Sequence, residues 1–264
     1  MNGIIIAAVV VGGIGLALGF FLSIMGKKFE VPVDEKEAKV RELLPGNNCG
    51  GCGFAGCDAC AKAIAAGEAP VSACPVGGAP VAKQIAQVMG SSAGDMKRMT
   101  AWVRCAGDCD KAPEKYKYSG VEDCSVMPFL PDGGPKTCTY GCLGFGSCVK
   151  ACEFDAIHVV NGVAKVDRDK CKACGKCVAA CPRHLISLVP YDNKYTVDCF
   201  SKDKGKDVMA ACKAGCIGCG ICEKNCPADA IHVTDNLAAI DYDKCKNCGI
   251  CASKCPRKII EARF

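Results

Sequence analysis

Seven cysteines of this chain recur in the same order 74 residues later: Cys142, Cys148, Cys152, Cys171, Cys174, Cys177 and Cys181 return as Cys216, Cys222, Cys226, Cys245, Cys248, Cys251 and Cys255. The copy extends past cysteine, since CEFDAIHVV returns as CPADAIHVT and VDRDKCKACGKC as IDYDKCKNCGIC. A duplicated unit this short buries too little apolar surface to hold itself together by packing alone. There are 26 cysteines in 264 residues, while aromatic residues make up 6%, so bonds to sulfur must replace part of the core. Disulfides and metal are the two ways to do this, and the redox compartment separates them.

The N-terminus points to a compartment. Gly3 to Met25 carries no charged residue and is long enough, at about 1.5 Å per residue, to span a hydrocarbon core of roughly 30 Å. No basic residue precedes the run, as a signal peptide would require, and Lys27 and Lys28 follow it. The pattern predicts a single transmembrane helix over 1–26 in the cytoplasmic membrane, with the bulk of the chain on the cytoplasmic side. A reducing compartment favours metal over disulfides. Gly15 and Gly19 form a G-x-x-x-G face suited to a second helix; a plain anchor is the alternative. Residues 27–45 read as a polar linker running into the turn signal Leu-Pro-Gly-Asn-Asn.

The expected fold class is α+β: the transmembrane helix, a small [4Fe-4S] loop-helix domain over 46–95, a cysteine-containing connecting segment over 96–137, and tandem bacterial-type (βαβ)2 ferredoxin units over 138–190 and 191–264. In the first domain Cys49, Cys52, Cys57 and Cys74 follow C-x2-C-x4-C-x16-C, with Cys60 extra. The Ala-rich stretch DACAKAIAAGEAP predicts a short helix that returns Cys74 to the first three. Four such thiolates suit zinc or a [4Fe-4S] cube.

The ferredoxin run C-x2-C-x2-C-x3-C-P stands intact from Cys171, Cys216 and Cys245. Its first three thiolates hold one cube and its fourth reaches to the neighbouring cube. The ligand sets are then Cys216, Cys219, Cys222 and Cys255; Cys245, Cys248, Cys251 and Cys226; and Cys171, Cys174, Cys177 and Cys152. In the fourth set, Phe145 stands where the repeat calls for a cysteine, so Cys142, Cys148 and Cys181 lack a partner. Cys138 is the nearest donor and the expected fourth ligand; a [3Fe-4S] cluster is the alternative. Cys105, Cys109, Cys124, Cys199 and Cys212 remain and supply a further cluster or stay buried thiols. The count is five [4Fe-4S] clusters, or six with this last group.

Three thiolates within seven residues crowd a tetrahedral zinc, which argues against a structural zinc module. Cys212, Cys216 and Cys219 also spell the C-x3-C-x2-C of radical S-adenosylmethionine enzymes, but too little chain follows for a barrel. His158 and His232 repeat inside AIHV strands and read as structural. The formal charge of +5 counts thiols as neutral; five cubes at about −2 each would bring it to about −5, so the basicity does not signal nucleic-acid binding. There is no G-x-G-x-x-G fingerprint and no nucleophile–base pair, hence no catalytic residue and no cofactor site beyond the clusters. Lys111, Lys115 and Lys117, and Lys202, Lys204 and Lys206, are two basic runs that could steer an acidic carrier.

An N-terminal hydrophobic helix, NNCGGCGFAGC completed by Cys74, and ferredoxin units including YGCLGFGSC together resemble the B subunits of Rnf complexes, the ion-translocating membrane ferredoxin:NAD oxidoreductases. The resemblance covers nearly the whole chain. It implies an electron-wire subunit that accepts electrons from reduced ferredoxin and relays them to membrane flavin and iron-sulfur subunits, with NAD bound by a partner. A membrane-anchored polyferredoxin serving another complex, such as a hydrogenase, is the alternative.

Overall fold

The computed structural model describes residues 2–28 and 34–262; within the first helix, side chains are described from Val10 to Met25. Helix α1 runs over Asn2–Lys28, and Val11, Leu16, Phe20 and Leu22 are all exposed on it. Among the described residues no helix is long and apolar enough to cross a membrane. The expected span falls partly on side chains outside that set.

The expected polar linker over 27–45 contains a helix, α2 (Glu35–Leu43), which Asp34 caps by accepting from the Lys36 amide at 2.9 Å. Val40 on α2 is fully buried against α3 (Cys57–Ala65), and Ile85 of α4 (Gly78–Met89) closes the same core. The charges of α2 hid one buried stripe. Helix α3 ends before Gly67, whose φ of 76° supplies the left-handed residue that such an end needs.

The rest is two copies of one plan. In the first, β1 (Met99–Val103), α5 (Ser147–Lys150) and β2 (Ile157–Val160) are followed by β3 (Val163–Val166), α6 (Lys176–Ala180) and β4 (Ile186–Pro190). Strand β5 (Tyr195–Val197) and helix α7 (Gly205–Ala211) open the second, which continues through α8 (Ile221–Lys224), β6 (Ile231–Thr234), β7 (Leu237–Ile240), α9 (Ile250–Lys254) and β8 (Ile260–Ala262). The pairs β1–β4, β2–β3, β5–β8 and β6–β7 are antiparallel. The β2–β3 and β6–β7 hairpins turn at Asn161-Gly162 and Asp235-Asn236, all four at positive φ, the conformation that matches the twist of paired strands.

The pairing of β1 with β4 moves a boundary. The first unit takes its edge strand from the segment expected to be a connector, across the long insertion that separates β1 from α5. Five residues of mixed burial left too weak a pattern to attach that strand by sequence.

Asp198 ties the two units together. It is buried, accepts from the Trp102 indole at 2.7 Å and from Thr196 Oγ1 at 3.1 Å, and its carbonyl accepts from the Ala106 amide at 2.9 Å. Burial pushes its carboxyl up to about 6, against the pull of the Trp102 and Thr196 donors. An acid with a raised folded pKa binds its proton more tightly in the folded chain, so its contribution to stability is greatest below about 4 and declines as pH rises through about 6. We expect Asp198→Ala, which removes the acceptor, to cost about 1–3 kcal/mol, read as a lower urea midpoint for cluster bleaching. Asp198→Asn should flatten the stability profile between pH 4 and 6; an unchanged slope there would count against the assignment.

Candidate metal centres

Four loops are wound alike. In each, the second and fourth residues after the leading cysteine adopt positive φ: Gly144 and Gly146 after Cys142, Ala173 and Gly175 after Cys171, Gly218 and Gly220 after Cys216, Asn247 and Gly249 after Cys245. Two left-handed residues so close together curl the loop and turn its amides inward. Gly218 also meets the neighbouring hairpin, where a Cβ would stand 2.8 Å from the Asn236 carbonyl oxygen. A short helix, α5, α6, α8 or α9, follows each loop and carries its last cysteine.

Five cavities result, each walled by four cysteines. Cys152, Cys171, Cys174 and Cys177 surround one of about 320 Å³. Cys216, Cys219, Cys222 and Cys255 line one of about 340 Å³, and Cys226, Cys245, Cys248 and Cys251 one of about 360 Å³. A fourth, of about 410 Å³, has Cys124, Cys142, Cys148 and Cys181 on its wall. The fifth, of about 420 Å³ between the two units, is lined by Cys105, Cys138, Cys199 and Cys212.

Two expectations are corrected here. Cys138 does not stand with Cys142, Cys148 and Cys181; Cys124 does. Phe145 explains the exchange. Its ring packs edge-on against Tyr118 at 5.7 Å and joins Cys124, Met127 and Leu143 in one apolar cluster. The residue that displaced a cysteine therefore anchors the segment that brings another. The Cys124 amide donates to Ser147 Oγ at 2.9 Å, and Ser147 donates to Asp123 at 2.9 Å. The Ser125 and Ser147 donors hold the Asp123 carboxyl down at about 2, so this anchor is an ionised one. The second correction concerns the remaining group: Cys105, Cys199 and Cys212 gather around Cys138, whereas Cys109 is exposed and lines none of the five cavities. Sequence carried one hint, because Cys138 and Cys212 are themselves related by the repeat.

In the N-terminal domain Cys52, Cys57 and Cys74 lie in one core with the buried Cys60, whose thiol burial pushes up to about 12. Cys57 opens α3, and its amide donates to the Asn48 side chain at 2.8 Å. Cys49 faces Cys174 of the ferredoxin unit closely enough to raise that thiol's pKa, with burial the larger cause. Gly51 makes the approach feasible: a Cβ there would stand 2.5 Å from the Cys174 carbonyl oxygen.

The cavities fit an iron-sulfur cube. Backbone amides donate to sulfur from Ala101 and Ala173 to Cys171 at 3.3 and 3.4 Å, from Cys142 to Cys105 at 3.3 Å, from Ala214 to Cys212 at 3.4 Å and from Ala230 to Cys226 at 3.3 Å. Such bonds favour thiolate over thiol and tune cluster potentials. Among the described residues no three His, Cys, Asp or Glu side chains close on a single metal ion. Burial pushes Cys148 and Cys177 up to about 12 and Cys105 and Cys222 to about 11. These thiols are neutral until metal displaces their protons. His158 and His232 lie on the outer faces of β2 and β6, paired with Asp155 and with Glu223.

Residues 44–76 match an Fe-S cluster family, and residues 170–230 and 215–259 match the 4Fe-4S dicluster domain. The chain thus carries [4Fe-4S]-type domains. It is 47% identical over 265 residues, all of both chains, to the B subunit of the ion-translocating oxidoreductase complex of Methanosarcina acetivorans. With the B subunit of the Na(+)-translocating ferredoxin:NAD(+) oxidoreductase complex of Acetobacterium woodii it shares 46% identity over 247 residues, 93% of this chain and 74% of that one. The proton-translocating counterpart of Clostridium ljungdahlii is 46% identical over 247 residues, 93% of this chain and 87% of that protein. At this identity over nearly the whole chain, the protein belongs to the family of B subunits of ion-translocating oxidoreductase complexes, the Rnf family.

Proposed function

We propose that this chain is the electron relay of its complex, taking electrons from reduced ferredoxin and passing them through six [4Fe-4S] sites toward flavin and iron-sulfur subunits in the membrane. When bound, the clusters supply one-electron exchange; the protein supplies spacing, burial and charge. The observation that carries the reading is a series of five four-cysteine cavities, to which we add the N-terminal set. The N-terminal set of Cys49, Cys52, Cys57 and Cys74 (site 1) meets the Cys152 set (site 2) through Gly51 and Cys174. Site 2 shares a core with the Cys124 set (site 3), where Cys148 and Cys177 are neighbours. The Cys142 amide of site 3 bonds to Cys105 of the shared set between the units (site 4). Cys199 of site 4 accepts from the Cys216 amide of site 5, and site 5 shares a core with the Cys226 set, site 6. These six sets use every cysteine except Cys60 and Cys109.

Helix α1 is the proposed single-pass anchor, because a helix apolar on all sides requires an apolar surrounding. The bulk of the chain then lies on the cytoplasmic side, following Lys27 and Lys28. Of the two basic runs, Lys111 pairs with Asp108, Lys115 with Asp132 and Lys202 with Asp235. Lys204 and Lys206 are exposed at the start of α7, whose far end leads into Cys212 of site 4, and we place ferredoxin steering there.

Three measurements test the reading. Purified chain should contain about 24 iron and 24 sulfide, carry a net charge of about −7 and bind an anion exchanger at neutral pH; retention on a cation exchanger alone would contradict it. Cys124→Ala should give a new three-iron signal in the oxidised EPR spectrum, whereas Cys138→Ala and Cys212→Ala should resemble each other and disturb a different cluster. Reversing Lys202, Lys204 and Lys206 to Glu should slow reduction by ferredoxin at low salt and much less at high salt, where screening removes steering; an unchanged salt dependence would move the docking surface elsewhere.

A further inference from the structure

Lys136 is buried, with 2% of its surface exposed. Its ammonium donates to the Gly107 and Gly162 carbonyl oxygens at 3.2 and 2.9 Å. Among the described residues no carboxylate pairs with it. A buried cation held by neutral carbonyls alone is costly unless an anion lies close by. Gly107 lies against site 4: a Cβ on it would stand 3.2 Å from Cys212 Sγ and 3.7 Å from Cys105 Sγ.

Arg104 lines site 4 itself, and two further arginines stand between it and its neighbours, Arg183 on the wall of site 3 and Arg257 on the wall of site 5. Arg183 donates to the Cys138 carbonyl at 3.0 Å and to the Gly141 carbonyl at 2.8 Å. Arg257, its repeat partner, donates to the carbonyls of Cys212 at 3.0 Å, Lys213 at 2.6 Å and Gly215 at 3.3 Å. Each thus clamps a bridge, Cys138 to Cys142 or Cys212 to Cys216, that runs from site 4 to a neighbour. Burial lowers the pKa of Arg183, with the surrounding cysteines opposing that fall; a guanidinium keeps its charge regardless. The acid on the wall of site 4, Asp198, is engaged by Trp102 and Thr196. The repeat places Ala210 opposite Lys136, so the second unit has no counterpart of this lysine.

We infer that Lys136 is the charge-compensating residue of site 4 and, lying behind Gly107 against Cys212 and Cys105, holds that site at a higher reduction potential than the other five. The inference rests on the reading of Cys105, Cys138, Cys199 and Cys212 as one [4Fe-4S] site. A cube with four thiolates carries about −2 and gains one further negative charge with each electron. A fixed cation favours the more negative form, and favours it more where water is excluded. One electron arrives from the donor and no proton need accompany it. Electrons reaching either half then collect at the shared site before moving on.

The test is an EPR-monitored redox titration of the full chain with iron analysis beside it. In the wild type the signal that appears first on stepwise reduction should belong to site 4, and Cys212→Ser should remove it together with about four iron atoms. Lys136→Gln should keep about 24 iron and shift that signal by at least tenfold in its reduction equilibrium, about 59 mV lower for one electron. Lys136→Arg should restore it. If Lys136→Gln sheds the site's iron while Lys136→Arg keeps both iron and potential, charge compensation is again supported; loss in both variants assigns Lys136 a packing role and overturns it. A Lys136→Gln titration superimposable on wild type also overturns it, as does a first signal that survives in Cys212→Ser when that variant has lost its four iron. Failure of the underlying reading looks different: wild type itself would hold about 20 iron, and Cys212→Ser would lose none.

Discussion

The structure depends on a backbone constraint: a loop that must present three side chains to one point within seven residues has to turn left-handed twice. Gly146, Gly175, Gly220 and Gly249 make the second turn without strain, while Ala173 and Asn247 take the first at a cost. Each loop lies beside a four-cysteine cavity in a unit whose sheets have only two strands, so the cysteines share the core with a small apolar cluster. Thiol burial reinforces the dependence, since groups pushed to about 11 or 12 at Cys105, Cys148, Cys177 and Cys222 are poor anions until a metal takes their protons.

Phe145 shows how far the constraint can be relaxed. The loop from Cys142 keeps both left-handed turns at Gly144 and Gly146 although its middle cysteine is gone. Its shape is therefore set by the glycines and by the hairpin it leans on, and the missing donor is replaced from outside. Tyr118 on Phe145, and Asp123 with Ser147, fix the inserted segment so that Cys124 occupies the open side. The same long segment between β1 and α5 also carries Cys105 and Cys138, which line the cavity between the units.

The cavity lined by Cys105, Cys138, Cys199 and Cys212 lies between the two units. Bridges of five residues, each clamped by an arginine of the repeat, lead from it to both sides, and Asp198 with Trp102 holds the units in register around it. A relay needs short, fixed gaps more than it needs a catalytic pocket, and the fixed elements of this fold lie between the sites.

Much of this was present in the amino-acid order itself. The repeat set two equivalent units; the C-x2-C-x2-C-x3-C-P runs determined which thiols face one point, because seven residues offer few ways to turn; the ferredoxin-type α+β class followed. The cavity walls of the Cys152, Cys216 and Cys226 sets follow from that local geometry. What tertiary structure alone decided is whatever crosses a long stretch of chain. The strand at Met99–Val103 joins its unit across the insertion, Val40 makes part of the expected linker a packed helix, Cys124 and Cys138 exchange the places their spacing implied, and Cys105, Cys138, Cys199 and Cys212 meet from segments far apart in sequence. Sequence distance ranks donors by the loop that would join them, but in the folded chain a donor's place is decided by what its segment packs against, and for Cys124 that is Phe145.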